Sequence, residues 1–153
     1  MPKPVIGITL GDPAGIGPEI VAKALAHPRI YSLCRPIVFG NALFLEESGA
    51  GLELARIAQP GEGVFQPGIV PVVDIKSSGR IRMGRPSAAS GRAAIAYLDR
   101  AVECALKGEI DAIVTAPLSK AAVRTAGYPA FTGHTEYLAE KTGTRSFAMM
   151  FYS

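Results

Sequence analysis

Apolar residues along this chain fall into two alternating patterns, short β-branched runs closed off by glycine or proline, and longer stretches with apolar positions at helical spacing. Val5-Ile6-Gly7-Ile8-Thr9-Leu10, between Pro4 and Gly11, predicts a buried strand. A helix follows from Gly15 onward, with Pro18 and Glu19 suited to its first turn and Ile20, Val21, Ala24 and Leu25 forming its apolar face. Pro36 to Gly40 predicts the second strand, and Asn41 caps a helix running to about Ser48. Leu52-Glu53-Leu54 alternates only briefly, and Ile69 to Val73 predicts a further strand.

The second half repeats the rhythm. The loop-rich stretch from Asp74 to Pro86 leads into a long helix from about Ser87 to Lys107, with Ala94, Leu98, Ala101, Val102, Ala105 and Leu106 at helical spacing and Gly108 as its stop. Ile110 to Ala116 is a near-continuous apolar run, the pattern of a parallel strand covered on both faces. Helices from about Ser119 to Ala126 and from about His134 to Lys141 end at Gly127 and Gly143, and Ser146 to Tyr152 predicts a last strand with nothing after it to cover or pair it. Strands alternating with helices predict an α/β fold with a mostly parallel sheet, and the uncovered last strand predicts a truncated one.

Composition narrows the picture slightly. The 153 residues, 48% hydrophobic, suit one core, and the longest apolar runs fall well short of the roughly 20 residues that span a bilayer. The N-terminus lacks a signal-peptide pattern, so the expected location is cytoplasmic, away from membranes. Cys34 and Cys104 have neither framework nor metal-ligand spacing and are expected to be buried thiols. Part of the net charge of +3 clusters in Lys76, Arg80, Arg82, Arg85 and Arg92, interrupted by apolar residues and glycines without interleaved aromatics. That pattern favours a solvated loop or an anionic small-ligand site over nucleic acid.

Three clusters carry candidate chemistry. Gly11-Asp12-Pro13-Ala14-Gly15-Ile16-Gly17-Pro18-Glu19 joins a strand to a helix, where backbone N–H groups can cradle an anion. It is no dinucleotide fingerprint, because Ile20 stands where the third glycine belongs, and no P-loop, because no Gly-Lys-Ser/Thr follows. Equally, its glycines can be turn formers and Asp12 a turn or cap residue. Thr115-Ala116-Pro117-Leu118-Ser119-Lys120 lies at the carboxyl end of a predicted strand, where α/β sheets bind ligands. Lys120 is either a phosphate-neutralising or proton-transfer group or a surface lysine behind a capped helix. Gly133-His134-Thr135-Glu136 opens a helix with titratable and hydroxyl groups side by side, either to bind a ligand or to complement the helix dipole.

These clusters, together with Ile8-Thr9-Leu10 before the first and Phe131-Thr132 before the third, resemble in order and spacing the 4-hydroxythreonine-4-phosphate dehydrogenase family of vitamin B6 biosynthesis. The glycine loop is also similar to that of isocitrate and isopropylmalate dehydrogenases. The resemblance implies an isocitrate/isopropylmalate dehydrogenase-like fold, with residues 1–130 as an N-terminal domain and 131–153 as the start of an incomplete second one. It also implies NAD- or NADP-dependent, divalent-metal-dependent oxidation of 4-phosphooxy-L-threonine at C3, followed by decarboxylation to 3-amino-2-oxopropyl phosphate. Paralogues acting on 4-phospho-D-threonate or 4-phospho-D-erythronate share the motifs, and a non-catalytic remnant is a further alternative.

By the same resemblance His134 and Thr135 bind substrate, while Lys120, Thr115, Asp12 and Gly15 are candidates for active-site support. Family members are longer homodimers whose metal-holding histidines lie beyond the matched region. Of the two histidines here, His134 belongs to the substrate motif and His27 is expected at the surface. No metal ligand is therefore expected within this chain.

Overall fold

The computed structural model describes residues 2–49 and 51–151. Five parallel strands form one sheet in the order β3-β4-β2-β1-β5. They are β1 (Val5–Thr9), β2 (Arg35–Gly40), β3 (Glu53–Ile57), β4 (Ile69–Asp74) and β5 (Ala112–Thr115). The helices between and after them are α1 (Gly17–Leu25), α2 (Pro28–Leu33), α3 (Ala42–Glu46), α4 (Ala88–Leu106), α5 (Lys120–Thr125) and α6 (His134–Thr142).

Alternation along β2 shows how the layers form. Val38 joins Val21, Leu25, Ala42 and Leu45 of α1 and α3 in one buried cluster. Its neighbours Ile37 and Phe39 join Ala101 and Cys104 of α4 in another. Side chains of successive strand residues point to opposite faces, so helices cover the sheet on both sides. A third cluster lies away from the sheet centre, where Ile95 and Leu98 of α4 meet Val123 of α5, Phe131 and Tyr137 of α6.

The helix ends follow their local chemistry. Asn41 accepts a hydrogen bond from the Leu43 N–H at 3.0 Å, capping α3. At α4, Ser87 and Ser90 bond reciprocally through side chain and backbone, a capping box with serine in place of the usual Glu or Gln. Gly91 lets α5 come close, since a side chain there would run into the Ala122 carbonyl. Gly143 ends α6 in the left-handed conformation.

The structure departs from the sequence reading in five places. β3 is a full edge strand where only a brief alternation was legible, because its partly exposed positions carry little apolar signal. The short helix α2 was not expected; Pro28 at its first position is the cue. The run Ile110 to Ala116 is not covered on both faces. Only Ala112–Thr115 is strand, it forms the sheet edge, and Val114 is 52% exposed. An unbroken apolar run cannot distinguish an edge from a centre.

Residues 146–151 form no strand; Tyr152 lies outside the described residues. That segment pairs with neither edge of the sheet, and Phe147, Met149, Met150 and Phe151 stand exposed. Finally, only Cys104 is a buried thiol; Cys34, at the end of α2, is half-buried, and the two are unpaired. Among the described residues, no helix is long and apolar enough to cross a membrane.

Candidate functional site

The carboxyl ends of the strands, where a parallel sheet presents its loops, gather the three sequence clusters. The loop after β1 lies against the loop after β5, with the Asp12 N–H donating to the Pro117 carbonyl at 3.0 Å. Gly11 permits this approach. Its φ is +67°, and a Cβ there would collide with the Pro117 carbonyl oxygen.

Asp12 is only 3% exposed, and its Oδ1 accepts from the Ala14 N–H at 2.8 Å. The Gly15 N–H donates to the Asp12 carbonyl at 2.9 Å, and the Ala14 carbonyl accepts from Gly84 at 2.7 Å. These groups are therefore engaged in building the turn, which is the structural alternative that the sequence left open for Asp12 and Gly15. Ser119 likewise caps α5, accepting from the Ala122 N–H at 3.2 Å.

Thr115, His134 and Thr135 are brought together. They line an open cavity of about 430 Å³ between the end of β5 and α6, with Ile113, Leu138 and Phe147 as its apolar wall. All three polar residues are half-buried. Lys120, exposed at the start of α5, points back towards Gly133, with its Nζ 3.9 Å from where a Cβ on that glycine would sit. Burial, and then the charge of Lys120, holds the His134 imidazole below its ordinary value of 6.5, so it is neutral at physiological pH. A neutral imidazole can donate at one nitrogen and accept at the other, beside two threonine hydroxyls and an exposed ammonium group.

The basic residues Lys76, Arg80, Arg82, Arg85 and Arg92 are exposed, and Arg82 and Arg85 pair across a tight turn that touches the glycine loop. They do not line the His134 cavity. A separate cavity of about 490 Å³ at the ends of β2, β3 and β4 takes in Lys76, Asn41, Arg56, Asp74 and Ser77. Its charged groups are largely committed, since Asp74 accepts from the Ala42 N–H at 3.0 Å and pairs with Arg56 at 3.4 Å. His27 is exposed, just before α2, and lines neither cavity.

Sequence reasoning missed the support behind α6. Tyr137 is buried, and its hydroxyl donates to Asp99 Oδ1 of α4 at 2.7 Å. The available signal was a lone aromatic three places after His134 in a helix otherwise poor in large apolar residues. Asp99 gave a weaker signal, as one of two acids within the apolar rhythm of α4.

The family described as pyridoxal phosphate biosynthetic protein PdxA matches residues 32–153. The chain belongs to the PdxA family. It is 45% identical to D-threonate 4-phosphate dehydrogenase of Cupriavidus necator, over 96% of this chain and 45% of that protein. It is 41% identical to 4-hydroxythreonine-4-phosphate dehydrogenase of Trichlorobacter lovleyi, over 97% of this chain and 46% of that one. Among solved structures, a 4-hydroxythreonine-4-phosphate dehydrogenase from Burkholderia phymatum superposes with a TM-score of 0.89 at 43% identity, covering 94% of this chain and 45% of that one. The chain thus spans about half the length of the PdxA relatives it matches.

Among the described residues, no group of three or more His, Cys, Asp or Glu side chains converges as a metal site needs. His134 has the Lys120 charge beside it, a poor neighbour for a second cation. The described residues therefore do not fit a metal centre by themselves.

Proposed function

We propose that this chain provides the substrate-side wall of an NAD- or NADP-dependent dehydrogenase that oxidises a secondary hydroxyl on a small phosphorylated acid. The observation that carries this reading is the placement of His134 and Thr135 opposite Thr115 across one cavity, in a chain of the PdxA family. The proposed substrate is 4-phosphooxy-L-threonine, oxidised at C3 to a β-keto acid that loses carbon dioxide to give 3-amino-2-oxopropyl phosphate. The hydride leaves C3 and the proton leaves the hydroxyl oxygen. A bound nicotinamide supplies the hydride acceptor.

In this reading His134, kept neutral, and Thr135 hydrogen-bond the substrate's polar groups and fix its orientation, which is a large part of what an active site contributes. Lys120 neutralises the phosphate or carboxylate, and Thr115 closes the wall from the sheet edge. Asp12 and Gly15 act indirectly, by holding the β1 loop against the β5 loop. The wider frame goes with the same reading. It is a cytoplasmic homodimer of isocitrate dehydrogenase-like fold, with a divalent metal held by residues outside this stretch and residues 131–153 opening a second domain.

A second reading is favoured by one observation, namely that a D-threonate 4-phosphate dehydrogenase is 45% identical to this chain, against 41% for a 4-hydroxythreonine-4-phosphate dehydrogenase. In it the substrate is 4-phospho-D-threonate, or the related 4-phospho-D-erythronate. Assaying the product of the complete gene with each phosphorylated acid, NAD⁺ or NADP⁺ and a divalent metal separates the two. Higher kcat/KM on 4-phosphooxy-L-threonine supports the first reading. Preference for a sugar acid supports the second, and no nicotinamide reduction with any of them overturns both.

A further inference from the structure

α6 carries His134 and Thr135 at its first two positions, so its rotation about its own axis decides whether they face the cavity. Residues of an α-helix are spaced by about 100°. His134, Thr135, Leu138, Ala139 and Thr142 line the cavity, while Tyr137 and Lys141, one turn apart, face α4. Tyr137 is the one residue of α6 that is buried.

The contact made by that residue has an apolar and a directional part. Its ring packs with Phe131 at 5.6 Å between centroids, within the cluster of Ile95, Leu98 and Val123. Apolar burial alone is non-directional and tolerates a rolled helix. The directional part is the hydrogen bond from the Tyr137 hydroxyl to Asp99 Oδ1 at 2.7 Å, joined at the same oxygen by Lys141 Nζ at 3.0 Å. Lys141 Nζ also lies 5.2 Å from the Tyr137 ring centroid. Burial, and then the bond to Asp99, raises the Tyr137 pKa well above the ordinary phenol value, so the hydroxyl stays a donor across the working range of pH.

We propose that Tyr137 and Asp99 form a positioning clamp that fixes the rotation of α6 and so aims His134 and Thr135 at the substrate, a role resting on the reading of those two as substrate contacts. Tyr137 and Asp99 are positioning residues, set on the side of the helix away from the cavity. Tyr137→Phe keeps the ring and its packing but removes the directional bond, which makes it the informative variant; Asp99→Asn tests the other partner.

The test combines kinetics with histidine NMR on the product of the complete gene, with the His134 resonance assigned by its loss in His134→Ala. Ile37→Val, in the separate cluster under α4, serves as a control for general destabilisation. Tyr137→Phe is expected to shift the His134 resonance and raise KM for the phosphorylated substrate about fivefold with kcat within about twofold, as lost positioning should. Asp99→Asn is expected to move both in the same direction, and Ile37→Val to move neither. An unmoved His134 resonance and unchanged KM in Tyr137→Phe would overturn the clamp, as would an equal rise in KM in Ile37→Val. A wild-type KM and kcat in His134→Ala would overturn the substrate reading alone, and the His134 resonance in Tyr137→Phe would still decide whether the clamp aims that side chain.

Discussion

The centre of the sheet and its β5 rim are built to opposite specifications. In β1, β2 and the loop after β1, polar groups are used up internally. Asp12 holds the Ala14 N–H, Gly15 bonds back to Asp12, and β2 is buried from Pro36 to Gly40. Around β5, α5 and α6 the strand is an edge, and Thr115, His134 and Thr135 are half-buried around open space. The centre makes a frame, and the rim offers groups to something else. In this fold the glycine-rich loop serves the rim by fixing β5 in place.

That contrast can be broken most severely at Gly11. Gly11→Ala must place a side chain at positive φ against the Pro117 carbonyl, and a loss of about 4 kcal/mol in urea unfolding is expected. A loss below about 1 kcal/mol would mean that the two loops are not locked together. Next comes a paired truncation. Ile37→Ala, fully buried, is expected to cost about 3 kcal/mol, and Val114→Ala, 52% exposed on the rim, well under about 1 kcal/mol. Equal costs would show that β5 is covered in solution. Ser87→Ala removes one half of the α4 capping box and is expected to cost about 1 kcal/mol, with no effect on the His134 resonance.

The smallest effect is a pH dependence. His134 has a lowered folded value, so it contributes stability that is full above its ordinary 6.5 and is lost as pH falls from there through the folded value. Lys120→Met removes the lesser of the two causes. The His134 midpoint, followed by NMR, should rise towards 6.5, and the pH dependence of stability below that value should flatten. A midpoint unmoved by the substitution would place Lys120 too far from the imidazole to act on it.

The frame was largely legible in the sequence because its signals are local. β-branched runs ending in glycine, Asn41 as a cap, and Gly108, Gly127 and Gly143 as stops each report on their own neighbourhood. The rim was legible only as a set of residue types. That His134 faces Thr115 depends on how α6 is rotated, and this is set by Tyr137 meeting Asp99 across 38 positions of sequence, which no local pattern announces. The same limit explains β5. Its apolar run was read correctly as a strand, but whether a strand lies at a centre or an edge is decided by partners elsewhere in the chain. The last apolar segment shows it most clearly, with a strand-like composition and no ladder to make it one.

Whether His134 contacts the substrate is decided by steady-state kinetics of His134→Ala in the product of the complete gene. A fall in kcat/KM for the phosphorylated substrate of about 100-fold or more is expected, with the thermal midpoint held within a few degrees of wild type. An unchanged kcat/KM would contradict the contact.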